Sequence, residues 1–391
     1  MNRSRYLQNT ITDDLKEKMV FIGGPRQVGK TTLARDIGAS AYETCEYLNW
    51  DNREHRKNIN EGKFSPAPGL HIFDELQKFR QWKNLIKGIY DTKPESFDIL
   101  VTGSARLDIY RKGGDSLMGR YHYYRLHPFT VAEAIERVNL LVPGQELKIE
   151  SISGIRSAFE QLLAYGGFPE PFIKADARTL RRWHNQRIER LVKEDIRDIE
   201  NVRDLSALQM LMELLPKRSA SLLSLNSLRE DLSVAHKTIT HWMDILERFY
   251  YHFRIFPFNS SKIRSLRKEP KLYLWDWSEV PDAAARLENI VASHLLKMSH
   301  YLYDTEGFRV ELYFLRDTDG REVDFMVTLN GAPWMAIEVK TADVAVSKHL
   351  HYYKTRLDIP YCFQVVGEKE VDFVQNGVRV TSVENLLGAL I

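Results

Sequence analysis

The stretch Gly23-Gly24-Pro25-Arg26-Gln27-Val28-Gly29-Lys30-Thr31-Thr32-Leu33-Ala34 limits what this chain can become more than any other. It follows the apolar run Met19-Val20-Phe21-Ile22 and opens a helical pattern, so it reads as strand, glycine loop and helix in that order. Gly24 and Gly29 let the backbone curl until its N–H groups face one point, and the helix that opens near Gly29 adds the positive end of its dipole. Phosphate belongs at that point. The loop residues Gly24, Pro25, Arg26, Gln27, Val28 and Gly29 would cradle it, with Thr32 at the helix start. Lys30 would reach the β- and γ-phosphates of ATP, and the Thr31 hydroxyl would take one position on Mg²⁺.

A chain with such a loop needs a second acid site, and Leu70-His71-Ile72-Phe73-Asp74-Glu75 supplies one. A buried strand ending in Asp-Glu sets Asp74 at the sheet edge to hold Mg²⁺ and Glu75 beside it to polarise the attacking water, so hydrolysis is expected and not binding alone. A third strand, Phe97–Ser104, ends in Thr102 and Ser104, suited to contacting the γ-phosphate or the water. Arg106, Arg111 and Arg120 follow on a segment where an arginine could stabilise transition-state charge, in its own subunit or in a neighbour, and each reads equally well as a solvated loop charge. Strands alternating with helices over residues 1–140 give an α/β fold with a parallel, helix-covered sheet.

At 391 residues roughly two or three domains are expected, and 43% hydrophobic with 28% charged residues is ordinary for globular protein. Lys and Arg number 55 against 53 Asp and Glu, so any nucleic-acid-binding surface must be local. Cys45 and Cys362 lie far apart and form no metal-binding spacing, which fits a reducing cytoplasm. No segment has the look of an export signal or a membrane span, so no membrane partner is expected.

Several stretches together resemble the bacterial and archaeal AAA-superfamily ATP-binding proteins whose ATPase is followed by a domain of long-unassigned function. They are GPRQVGKTT, YLNWDNREHRK, HIFDELQKFRQWKNLIKGIYD, VTGSARLDIYRKGGDSLMGRYHYYRLHPFTVAE, YGGFPEPF and the pair EVDF and IEVK. The resemblance covers essentially the whole chain and implies an AAA-type P-loop ATPase over 1–140. Gln77 departs from it, since these proteins often carry His there.

A Pro/Gly-containing polar connector between about residues 142 and 153 marks a boundary. A helical lid or connector is expected over 141–217, with the charged stretch Arg181–Glu200, including Arg187, read as a solvated helix face. Over 218–270 the pattern is that of a winged helix. Leu228, Leu232, Ile239 and Trp242 would form its core, leaving His236, Lys237, Thr238 and His241 exposed on the second helix and Tyr250–Phe258 as a strand of the wing. DNA is the expected partner, although units of this shape also dock proteins. Lys262, Arg264, Arg267, Lys268 and Lys271 form a basic run that would add sequence-independent affinity or serve as a solvated linker.

Over 271–391, Glu322-Val323-Asp324-Phe325 and Ile337-Glu338-Val339-Lys340 read as two strands around an Asn330-Gly331 turn. They would bring Asp324, Glu338 and Lys340 together, two acids to hold Mg²⁺ and a lysine to orient water, which resembles the PD-(D/E)xK nuclease core of restriction-endonuclease-like domains. Glu288, on the helix expected over Ala283–Met298, matches the extra acid often found there, and Gln364 is a candidate auxiliary group. Such folds can also keep the scaffold and lose catalysis. The sequence therefore supports a Mg²⁺-dependent ATPase acting on or near duplex or branched DNA, with homo-oligomerisation open. Its alternative is an ATP-driven switch that docks a protein partner and carries a silent nuclease-like domain.

Overall fold

A computed structural model describes residues 4–65, 67–92, 97–103, 117–196, 202, 204–259, 268–368 and 370–391. The chain divides into two compact units, Met1–His127 and Pro128–Ile391.

The first unit alternates helices and strands: α1 (Gln8–Asp14), β1 (Met19–Gly23), α2 (Lys30–Ala41), β2 (Cys45–Asn49), α3 (Arg53–Glu61), β3 (Gly69–Asp74), α4 (Trp82–Thr92), β4 (Phe97–Thr102) and β5 (Tyr121–Arg125). The sheet order is β2-β3-β4-β1-β5 and every neighbouring pair is parallel. β1 and β3 read as continuous apolar runs because both faces are covered, and every residue of both strands is buried. With β4 between them, Ile22, Thr102 and Asp74 lie in one row at the carboxyl edge. Ligands of open parallel sheets bind at that edge, near the point where strand order reverses.

In the second unit, α5 (Ile155–Tyr165), α6 (Ala177–Arg190), α7 (Leu205–Leu214), α8 (Leu225–Asp231) and α9 (His236–Arg248) precede β6 (His252–Pro257) and β7 (Lys271–Leu274). Then come α10 (Ala283–Glu306), β8 (Val310–Arg316), β9 (Glu322–Leu329), β10 (Ala332–Lys340), α11 (Lys348–Arg356), β11 (Tyr361–Val366), β12 (Asp372–Gln375) and β13 (Val378–Ser382). One eight-stranded mixed sheet runs β12-β13-β11-β10-β9-β8-β6-β7.

β6 and β7 are antiparallel neighbours, and β6 pairs in parallel with β8 through Phe256↔Tyr313 and Pro257↔Phe314. Strands on both sides of residue 270 thus share a sheet, and the segments expected as separate domains over 218–270 and 271–391 are not separate bodies. The first unit likewise ends at His127 instead of near 140.

The β9–β10 hairpin turns at Asn330 and Gly331, with φ of 52° and 88°, the paired left-handed residues that an Asn-Gly turn provides. α8 begins at a Ser224 cap that accepts from the Ser227 amide, and α9 follows after a turn in which Ser233 is left-handed at φ 53°. Leu228, Ile239 and Trp242 are buried, Leu232 is half-buried, and His236, Lys237 and His241 are exposed. These are the positions that the spacing assigns to core and surface, except that Thr238 is half-buried.

The stretch expected as a solvated face departs from its pattern. On α6, Trp183 is buried and the Arg187 guanidinium donates to Glu279 Oε1 at 2.6 Å while lying 4.8 Å from the centre of the Phe168 ring. Arg187 and Glu279 side chains are 10% and 6% exposed, so this is a buried ion pair.

Candidate functional sites

The phosphate loop begins at the end of β1. Gly24 has φ 135°, and a Cβ there would lie 2.5 Å from the Leu126 carbonyl oxygen, so no larger residue fits without moving backbone. Gly29, at φ 97°, caps α2. Between them Gln27 is also left-handed, at φ 63°. Arg5 braces the loop from behind, donating to the Val28 carbonyl at 2.9 Å and also to the His127 carbonyl. The Lys30 ammonium is buried and donates to the carbonyls of Gly24 at 3.1 Å and Pro25 at 2.6 Å, which keeps it over the loop.

Thr31 and Asp74, expected to share Mg²⁺, are in direct contact: the Thr31 hydroxyl donates to Asp74 Oδ2 at 2.9 Å. Thr102 donates to Oδ1 at 2.5 Å, Tyr47 to Oδ2 at 2.6 Å and Asn49 to Oδ2 at 3.4 Å. Asp74 is 5% exposed and these partners are neutral. Hydroxyl and carboxylate oxygens side by side are the hard donors that Mg²⁺ takes, so Thr31 and Asp74 fit it.

Glu75 follows in a left-handed conformation at φ 57°, its amide donating to the Thr102 carbonyl at 3.0 Å. Such backbone in a non-glycine residue is strained and tends to be kept at functional positions. Burial raises the Glu75 carboxyl above its ordinary range, and Lys30 and Lys78 pull it back. Gln77 Nε2 donates to Glu75 Oε2 at 2.9 Å. Tyr47, Asn49 and Gln77 are therefore parts of the site that the motifs did not announce. For the last, the signal was present in the one position that departs from the resemblance.

Arg120 is a correction. It immediately precedes β5 beside Met19, at the amino edge of the sheet and opposite the loop, and it pairs with Asp91 at 2.8 Å. It therefore cannot reach nucleotide in its own unit. Thr32 is exposed on α2. Ser104, Arg106 and Arg111 lie outside the described residues.

In the second unit Asp324 is on β9, Glu338 and Lys340 on β10, Gln364 on β11 and Glu288 on α10. Lys271, the first residue of β7, holds three of the nearby acids: its ammonium lies 3.0 Å from Glu288 Oε1, 2.8 Å from Glu322 Oε1 and 3.2 Å from Asp324 Oδ1. Tyr273 adds a hydroxyl to Glu288 Oε1 at 2.6 Å, and the Val339 amide donates to Asp324 Oδ2 at 2.9 Å. Lys340 is spent on its neighbour, donating to Glu338 Oε1 at 2.7 Å. Gln364 is also committed, accepting from the Ser347 amide and donating to the carbonyls of Asp343 and Ala345.

Two expectations change here. Lys271, read as part of a solvated basic run, is 3% exposed. Glu288, Asp324 and Glu338, read as one metal site, do not converge. Among the described residues, the group of three ligand-type side chains whose atoms lie within 4.8 Å of one another is His184, Asp276 and Glu279. The acids assigned to a divalent ion therefore do not fit one as arranged, because a lysine stands among them.

Burial, reinforced by the Asp324 charge, raises Glu288 and Glu338 to about 7. Lys271 is raised as well: burial opposes its charge, and the attraction of Glu288, Asp324 and Glu322 prevails. In the His184 group, burial opposes protonation of the imidazole but Asp276 outweighs it and raises His184, while Glu279 is committed to Arg187 and Tyr251.

A glycine loop after β1, an acid pair after β3 and a strand between them define a P-loop nucleotide-binding domain. Comparison with known families agrees: residues 16–135 match the AAA domain. The match covers nearly all of the N-terminal unit, whose parallel sheet and glycine loop agree with an AAA-type P-loop fold. Residues 156–285 and 284–386 match two domains of unknown function, DUF8612 and DUF4143.

Among curated proteins, the chain is similar to the uncharacterized protein Rv2008c of Mycobacterium tuberculosis. The two are 24% identical over 345 residues, which cover 85% of this chain and 72% of the relative. It is also similar to the uncharacterized protein MJ1637 of Methanocaldococcus jannaschii, at 23% over 312 residues, covering 68% of this chain and 62% of the relative. Among solved structures, the RuvB Holliday junction branch migration motor of Thermotoga maritima is 17% identical and aligns with 63% of this chain and 87% of its own. Its TM-score of 0.33 is too low to support a functional transfer.

Proposed function

We propose that this chain is a Mg²⁺-dependent ATPase that acts on or near DNA, on duplex or branched forms, through its second unit. The observation that carries the ATPase is the row of Thr31, Asp74 and Thr102 with Glu75 beside it. Lys30 and the loop amides bind the phosphates, and Thr31 and Asp74 hold Mg²⁺, which neutralises phosphate charge when bound. Glu75 takes the proton of the attacking water, and burial, by raising its carboxyl, makes it a stronger base for that step. Gln77 fixes the carboxylate that does so.

DNA engagement is supported by exposed His236, Lys237 and His241 on α9 and by Lys262, Arg264 and Arg267 in the sequence between β6 and β7. The nuclease-like reading of the second unit is supported by the order α10-β8-β9-β10-α11-β11 and by Asp324, Glu338 and Lys340 on adjacent strands. One observation favours the second reading, a switch that docks a partner and carries a catalytically silent nuclease-like domain: Lys271 stands among the acids. ATP turnover and strand cleavage measured on single-stranded, duplex and branched DNA, with Mg²⁺ or Mn²⁺, decide between them. DNA-stimulated turnover with cleavage supports the first. Turnover indifferent to every DNA form supports the second.

A further inference from the structure

Lys271 enters this pocket with three carboxylates around it. Its single charge meets Glu288, Glu322 and Asp324 at 2.8 to 3.2 Å. It arrives from β7, with the Phe314 ring of β8 5.7 Å from the nitrogen. The neighbouring Glu338 is 5% exposed and its Oε2 has no hydrogen-bond partner, so one oxygen at the edge of the cluster is left for an ion that takes the lysine's place. A cavity of about 240 Å³, lined by Ser219, Ala220, Ala284, Glu288, Val339 and Thr341, opens against the cluster.

We infer that Lys271 is the built-in cation of this pocket, standing where the nuclease-like reading would put a divalent ion, and that such an ion enters only when the lysine is removed. The inference rests on the nuclease-like reading of the sheet for the comparison, but its test does not depend on cleavage. Three acids around one buried ammonium leave an excess of negative charge, and a divalent ion on Glu288 and Asp324 would have to take the oxygens that the lysine already holds. Lysine and divalent ion are therefore competitors for Asp324 and Glu288.

The test measures Mn²⁺ binding directly, by calorimetry on the full chain without nucleotide, in a Lys30→Ala background that removes the loop's contribution. Lys271→Met should bind Mn²⁺ at least about tenfold more tightly than the background protein, and Asp324→Asn added to it should abolish the gain. Because Lys271→Met strands three half-buried acids and could fail to fold, Lys271→Met with Glu322→Gln is the second variant. It keeps Glu288, Asp324 and Glu338 and should show the same gain. Lys271→Arg, which keeps the charge, should show none.

Mn²⁺ binding by the background protein that Asp324→Asn removes would overturn the inference, and so would a folded Lys271→Met/Glu322→Gln protein that binds no better. Strand cleavage is scored separately on the same proteins. Binding gained without cleavage would uphold the inference and count against a nuclease, whereas binding gained with Mn²⁺-dependent cleavage would uphold both.

Discussion

Glu75 and Lys30 separate two steps that one loop supports. Lys30→Ala should lose most ATP affinity in equilibrium binding, because it removes the cation that reaches the phosphates. Glu75→Gln should bind ATP as before and turn it over about 100-fold more slowly in a steady-state assay, the usual scale for a positioned base. Unchanged turnover in Glu75→Gln would remove the residue from its role.

A second prediction concerns pH. Glu338 rises from 4.5 to about 7 on folding, so between those values the folded state binds more protons than the unfolded one and stability falls as pH rises. The contribution is fully present below 4.5 and gone above about 7. Thermal melts from about pH 5 to about pH 8 should therefore show a smaller loss for Glu338→Gln than for the wild type. The loop was legible at this scale because its chemistry is local. Lys271 was not: its acid partners Glu288 and Asp324 lie 17 and 53 residues away, and Lys268 beside it made the run look solvent-facing. Nothing within one helical turn or one strand signals that kind of burial.

Among elements, α6 shows how charge pattern misleads. A helix rich in both signs reads as solvated, yet Arg187 reaches Glu279 and the Tyr250 carbonyl. Arg187→Ala should cost about 3–5 kcal/mol in chemical denaturation, since it leaves Glu279 buried without its cation. A loss below about 1 kcal/mol would restore the surface reading. The α8–α9 pair was legible from apolar spacing and a tight turn. Its proposed contact with DNA predicts that Lys237→Ala weakens binding uniformly across sequences and lowers the log–log salt slope by about one. An unchanged slope in a salt titration would take α9 out of the footprint. Arg120 was misplaced because its role was judged by chain order. The direction of β5, parallel to β1, puts the residue before that strand at the far edge from the loop.

For the molecule as a whole, the chain carries its glycine loop in one unit and an acid pocket in the other, and the proposed function predicts that DNA connects them functionally. Full-length protein should hydrolyse ATP faster with DNA than without, and Glu75→Gln should lose the stimulated rate along with the basal one. The boundaries between units were less legible than their motifs, because a strand's sequence does not say which sheet it will join: Tyr250–Phe258 looked like a wing, and β6 within it joins β7 at the edge of the eight-stranded sheet. That edge has a mechanical consequence. β7 is held to β6 by four rungs, from His252↔Leu274 to Ile255↔Lys271. On its other side β7 is bridged to Ser219 and Leu222, so a pull on the strand at Lys271 loads two neighbours at once, and the residue that carries the ammonium is clamped between Ile255 and Leu222.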